Sequence, residues 1–187
     1  MDNNYIFQYW EAIQNGTVTV GKWIKTIYEI LVNGLKSGKW DFDEEKANKA
    51  INFIENFCHH SEGRNDLLKL ELWQKAIVSA IFGIMDKRTG YRQFREVFIV
   101  VARKNGKTLF AAAIAAYMAY IDGEYGAKVY FLAPKLDQAD LVYDAFYQIV
   151  QADDELDSIT KKRRSDIYIK EFNTSVKKIA FNSKKSD

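Results

Sequence analysis

The chain has little of several things, and each shortage narrows the possibilities. One cysteine among 187 residues, Cys58, rules out an internal disulfide and suits a reducing compartment. The formal net charge is only +2, so bulk charge does not announce a nucleic-acid binder. No apolar run approaches the ~20 residues of a membrane-spanning helix. The longest, residues 109–121, falls well short of that. The N-terminus, MDNNYIFQYW, carries an acid where a secretory leader has basic residues, so no leader is expected. Repeats and low-complexity tracts are absent. These shortages together favour a soluble, cytoplasmic protein.

What is present is apolar and aromatic. Nearly half the residues are hydrophobic, enough for a sizeable core in one domain with a helical appendage. The first part reads as helices. Tyr5, Tyr9, Trp10 and Ile13 keep helical spacing until Asn15-Gly16, and Trp23, Ile27, Ile30, Leu31 and Leu35 repeat it. Asp43 is placed to cap a third helix with an apolar stripe at Ala47, Ala50, Ile51, Ile54 and Phe57. SEGRND is a loop. LLKLELWQKAIVSAIFGI is a fourth helix ending near Gly83, and DKRTGYRQ is a turn.

The grammar then changes. REVFIVVA and KVYFLA are apolar, β-branched runs of strand length, separated by the helix-forming run LFAAAIAAYMAYI. That order predicts a right-handed βαβ crossover with parallel strands covered on both faces. Pro134 precedes a further helix, KLDQADLVYDAFYQIV. DIYIKEF and VKKIAF, flanking Asn173-Thr174-Ser175, read as a hairpin. NSKKSD closes the chain.

The chemistry gathers in VARKNGKTLFAAA, residues 101–113. A strand, a short loop and a helix N-terminus present unpaired N–H groups and a helix dipole to an anion. Gly106 lets the backbone approach a phosphate, Lys107 is a point charge for the β- and γ-phosphates, and the Thr108 hydroxyl suits Mg²⁺. Arg103 and Lys104 add charge that a structural turn does not need. The pattern G-x-x-x-x-G-K-[ST] is broken at its first position, which is Val101. A solvated turn is the competing account of the tripeptide.

Residues 70–146 resemble the N-terminal ATPase region of tailed-phage terminase large subunits, within the family whose phosphate loop reads A-R-K-N-G-K-[ST]. FDEEKANKAINFIENFCHHSEG resembles the helix upstream of it. The likeness extends from about Trp40 to Val150. It implies a P-loop NTPase-like α/β fold with a parallel sheet flanked by helices, incomplete at its C-terminus. An N-terminal helical segment, 1–66, precedes an ATPase domain, 67–187. It further implies a motor that couples ATP hydrolysis to packaging of double-stranded DNA into procapsids. By this resemblance Arg103, Lys104, Asn105, Gly106, Lys107 and Thr108 bind the phosphates of ATP. Thr108 also holds Mg²⁺, and Trp73 and Gln74 bind adenine. A glutamine amide has the donor and acceptor that the N6/N7 edge needs. Gln138-Ala139 falls where related motors carry a motif facing DNA or coupling strokes. The implied partners are further large subunits in a ring, a small subunit, a portal and duplex DNA, in the cytoplasm of a bacterial host.

Simpler accounts stand beside these roles. Trp73 fits a core position, and Gln74 fits an exposed one. Arg88, Arg92 and Arg95, like the KKRR run at 161–164, fit solvated surface as well as a DNA contact. Cys58, His59 and His60 are sequence neighbours, the wrong spacing for zinc. The Asp-Glu that ends an apolar strand in working P-loop ATPases is missing. The acid runs are Asp43-Glu44-Glu45 and Asp153-Asp154-Glu155, at helix starts or loops, and no nuclease domain is evident. The chain alone is therefore expected to bind nucleotide without turning it over. The competing classes are a non-catalytic interaction module with a relic loop, and another P-loop enzyme such as a helicase-like translocase or small kinase.

Overall fold

A computed structural model of the chain describes residues 4–60, 63–64 and 66–181. Part of the expected SEGRND loop and all of NSKKSD lie outside these. The chain divides into two compact units, one of residues 1–52 with 69–99, the other of 53–68 with 100–187.

The first unit is mostly helical. Helix α1 (Tyr5–Gln14) starts where the Asn4 side chain accepts the Ile6 N–H at 3.0 Å. It lies against α2 (Lys22–Lys36) and α4 (Leu72–Gly83). Ile6, Tyr9, Tyr28, Val32 and Ala76 form the shared core. Gly34, within α2, has no side chain because the buried Trp40 ring occupies that place. Strands β1 (Asp41–Phe42) and β2 (Ile84–Met85) pair antiparallel, a contact too short to read from the sequence. Helix α3 (Glu44–Phe57) is capped by Asp43, whose Oδ1 accepts the Lys46 N–H at 2.9 Å. Ala47, Ala50, Ile51 and Ile54 are buried as their spacing predicts.

Two expectations fail here. The fourth helix begins at Leu72, five residues later than its apolar pattern, because Glu71 and Gln74 form a reciprocal capping box that fixes the start. The stripe of α2 is also divided. Leu31 is buried, but Trp23, Ile27 and Ile30 are 74%, 48% and 55% exposed. The core is filled instead by Tyr28, Leu31 and Val32, one side further round the helix.

The second unit is α/β. Helix α5 (Lys107–Tyr120) is alanine-rich and packs closely on α6 (Leu136–Ala152). Small side chains let the two backbones approach, and Tyr120 and Phe146 stack between them at 6.3 Å. The unit also holds α7 (Asp154–Ile159) and a four-stranded sheet whose first strand lies between α5 and α6 and whose other three follow α7. Its strands are β3 (Lys128–Ala133), β4 (Thr160–Lys162), β5 (Ile167–Ile169) and β6 (Thr174–Ala180), in the order β3-β6-β5-β4. The β5–β6 hairpin is the predicted one, turning at Asn173 with φ 52°. The α/β class holds, but the sheet is mixed: only β3 and β6 run parallel.

The expected strand at REVFIVVA does not form. Residues 96–102 carry no ladder, and Phe98 is 93% exposed. An all-apolar strand needs a neighbour on each side and cover on both faces. Among the described residues nothing supplies them, and β3 takes β6 as its parallel neighbour instead. Helix α6 covers one face of β3 and β6. On the other, Tyr130, Leu132, Ile179 and Phe181 remain exposed. Among the described residues no helix is long and apolar enough to cross a membrane.

Candidate nucleotide site

The loop before α5 is shaped by three local conformations. Gly106 is left-handed, with φ 65° and ψ 14°, and acts as the helix N-cap without a side chain. Lys104 is also left-handed, at φ 66°, which is costly for a residue with a Cβ. Between them Asn105 turns its side-chain amide back to the carbonyls of Ala102 and Arg103, at 3.3 and 3.2 Å. The carbonyls are thereby held on one side of the loop.

The N–H groups are left over. From Lys104 to Leu109 no backbone N–H finds an acceptor among the described residues. The first to do so is Phe110, which donates to Gly106 at 2.9 Å. Successive free amides in a turn leading into a helix make an anion-binding concavity. The side chains of Arg103, Lys104 and Lys107 are exposed and form no ion pair among the described residues. Three uncompensated cations around free amides favour a polyvalent anion.

Lys104, Gly106, Lys107, Thr108 and Leu109 line a cavity of about 460 Å³. Its remaining walls come from His60 and from Leu141, Asp144, Ala145 and Gln148 of α6. No local motif marks the α6 residues, which enter because α6 packs on α5, a tertiary contact. Asp144 is the one carboxylate among the lining residues.

The remaining candidates are dispersed or engaged. Gln74 is buried, and its Oε1 accepts the Glu71 N–H at 2.9 Å. Trp73 packs against the core of the first unit. In the DKRTGYRQ turn, Asp86 accepts the N–H groups of Arg88 and Thr89, which hold its carboxyl below the usual range. The Arg88 guanidinium lies 3.7 Å from Asp86, and Arg92 lies over the Phe82 ring at 5.4 Å. In KKRR, Lys162 lies 4.0 Å from the Tyr147 ring centroid. Arg163 grips the buried Asp166 through two bonds of 2.6 Å and sits over Tyr168. That grip holds Asp166 below the ordinary carboxylate range. Half of the run is therefore structural. Cys58 is fully buried, and burial pushes its thiol up to about 12, with Asp153 adding to it. His59 bridges to Leu67, while the His60 ring meets Arg64. In α6, Ala139 is buried and Gln138 is exposed. Both acid runs begin helices: Asp43 caps α3, and Asp153 caps α7 by accepting the Leu156 N–H at 3.0 Å.

Comparison with known proteins gives this geometry a context. No curated protein sequence matches the chain. Among solved structures it is similar to the large terminase of bacteriophage HK97, with 23% sequence identity and a TM-score of 0.64. That likeness covers 76% of this chain and 29% of the phage protein, so the chain spans under a third of that terminase's length. The profile of the family described as terminase large subunit, ATPase domain, matches residues 72–187, from the first residue of α4 through the loop into α5 and the four-stranded sheet. The chain belongs to the terminase large subunit family, within its ATPase domain.

Proposed function

We propose that this chain is the nucleotide-binding front part of a DNA-packaging motor, and that the loop at residues 103–108 holds the triphosphate of ATP. One observation carries the reading. Among the described residues, six consecutive N–H groups without acceptors lie beside three cations without counter-ions. Lys107 neutralises the outer phosphates. The amides of Gly106 to Thr108 take oxygens at the positive end of the α5 dipole. Arg103 and Lys104 flank them, and Asn105 keeps the carbonyls turned away.

The donors also fit a divalent ion. Thr108 and Asp144 both line the cavity, and a hydroxyl and a carboxylate are oxygen donors of the kind Mg²⁺ takes. Bound there, Mg²⁺ would neutralise phosphate charge. For the base, the family resemblance assigns Trp73 and Gln74. Gln74 keeps a donor in Nε2 and a second lone pair on Oε1 for the adenine edge.

The motor reading extends to the whole subunit: a ring of copies on a portal, a small subunit and duplex DNA, in a bacterial host's cytoplasm, with the ATPase region starting near residue 67. Hydrolysis needs an acid to polarise water. Both acid runs here are committed to helix starts and Asp144 is assigned to the divalent ion, which leaves no acid among the described lining residues to polarise water, so this chain binds ATP without turning it over.

The test is titration with a fluorescent ATP analogue and Mg²⁺, alongside steady-state hydrolysis. Saturable binding lost about tenfold or more in Lys107→Ala is expected, with no turnover. No saturable signal would mark the loop as a relic in an interaction module. Turnover abolished by Lys107→Ala would place a catalytic acid within this chain and overturn the inactive assignment.

A further inference from the structure

Helix α2 has two apolar faces. One is buried in the first unit's core through Tyr28, Leu31 and Val32. The other carries Trp23, Ile27 and Ile30 in the open, with Ile24 beside them at 40% exposure. Single exposed apolar residues need no explanation. A tryptophan and three isoleucines on two turns form a patch, and their i, i+4, i+7 spacing is that of one helix lying along another.

The charges beside the stripe select the partner. Lys22 and Glu29 are seven residues apart, so they lie on one flank of the helix, about 20° from each other around its axis. Lys22 leans over the Trp23 ring at 5.8 Å, and Glu29 has no ion pair among the described residues. A second copy laid parallel about a two-fold axis would set this charged flank against the opposite flank, which carries Ile24 and no charge to pair with it. Laid antiparallel, it sets each Lys22 beside the other copy's Glu29. The same reversal sets Trp23 against Ile30 and brings the two Ile27 side chains together. Both separations are seven residues, about 10 Å along the axis, and their midpoints differ by one residue, about 1.5 Å, so one alignment brings the charges and the stripe within side-chain reach.

We propose that this face of α2 is a self-association surface, on which a second copy of the chain pairs antiparallel about a two-fold axis near Ile27. Two-fold symmetry makes every favourable contact twice. The stripe is smaller than a standard interface of roughly 800 Å² per partner, so the dimer is weak and forms at micromolar concentrations or above. The proposal does not rest on the nucleotide reading.

Sedimentation velocity of the whole chain over roughly 5–500 μM tests it. The expected result is a concentration-dependent rise from monomer to dimer mass, reduced by added salt. Ile27→Glu should stay monomeric with an unchanged circular dichroism spectrum. Lys22→Glu and Glu29→Lys should each weaken the dimer about fivefold, and the double variant K22E/E29K should restore it. A wild-type chain that stays monomeric throughout overturns the proposal. So does a folded Ile27→Glu variant that still dimerises, or a double variant no tighter than the singles.

Discussion

The side-chain amide of Asn105 lies 3.3 Å from the Ala102 carbonyl, and that contact orients the loop into α5, where we place the triphosphate. Without it the carbonyls of Ala102 and Arg103 are free to turn toward the anion. Asn105→Ala is expected to weaken binding of an ATP analogue by about five- to tenfold, the worth of one or two hydrogen bonds. Thermal stability should barely move, since the residue is exposed. Titration and a melting curve on the same sample check both parts.

Gly106 and Lys104 share a left-handed backbone but should respond in opposite senses. A Cβ at Gly106 meets no neighbouring atom, so the cost of Gly106→Ala is conformational, about 1–2 kcal/mol, and binding falls with it. At Lys104, asparagine tolerates the same conformation better than lysine. Lys104→Asn should hold or raise the melting temperature while weakening nucleotide binding through the lost charge. A fall in both quantities would count against the strain described for Lys104.

Asp144 offers a test of the metal arrangement. A lone carboxylate in a cavity lined by cations repels a triphosphate unless a divalent ion lies between them. Asp144→Asn should therefore tighten nucleotide binding in excess EDTA and reduce the gain from added Mg²⁺. Calorimetric titration with and without the ion separates the two effects. An identical Mg²⁺ dependence in both proteins would remove Asp144 from the site.

Acid stability should depend on Asp166. The Arg163 guanidinium bonds hold this carboxyl below its unfolded value of about 3.9. Its contribution is therefore complete above that pH and is lost as pH falls through the lower folded value. Arg163→Ala leaves the buried carboxylate without its partner. It should cost about 1–3 kcal/mol at neutral pH and shift the acid-unfolding midpoint upward. Denaturant melts between pH 2 and 7 read both.

The Gly34–Trp40 contact predicts a stability effect with no functional counterpart. Gly34→Ala places a methyl group where the indole ring lies, and overpacking of this kind costs about 1–3 kcal/mol. The melting temperature should fall. Nucleotide binding by the remaining folded protein should be unchanged.

Legibility in the sequence followed locality. The α3 cap at Asp43, the α6 run after Pro134, the hairpin at Asn173 and the tight loop into α5 at Gly106 all depend on a few neighbouring residues, and all were readable. The α2 stripe was not, because period alone cannot say which of two adjacent apolar faces meets the core. REVFIVVA has every mark of a strand, yet a strand is a relation between segments, and the described chain contains no partner for it. The β3–β6 pairing joins residues far apart in sequence, and no local signal encodes that choice. The cavity walls at His60, Asp144 and Gln148 were invisible for the same reason.

The order of the sheet also bears on how the protein is made. Lys128 has Ser175 as its ladder partner, so β3 leaves the ribosome well before the strand that completes it. Until then Tyr130 and Leu132 sit on a nascent edge open on both sides, ready to join another chain's edge. Slower synthesis prolongs that interval, and chaperone occupancy during translation should be greatest after residue 133 emerges and fall once residue 180 has cleared the exit tunnel.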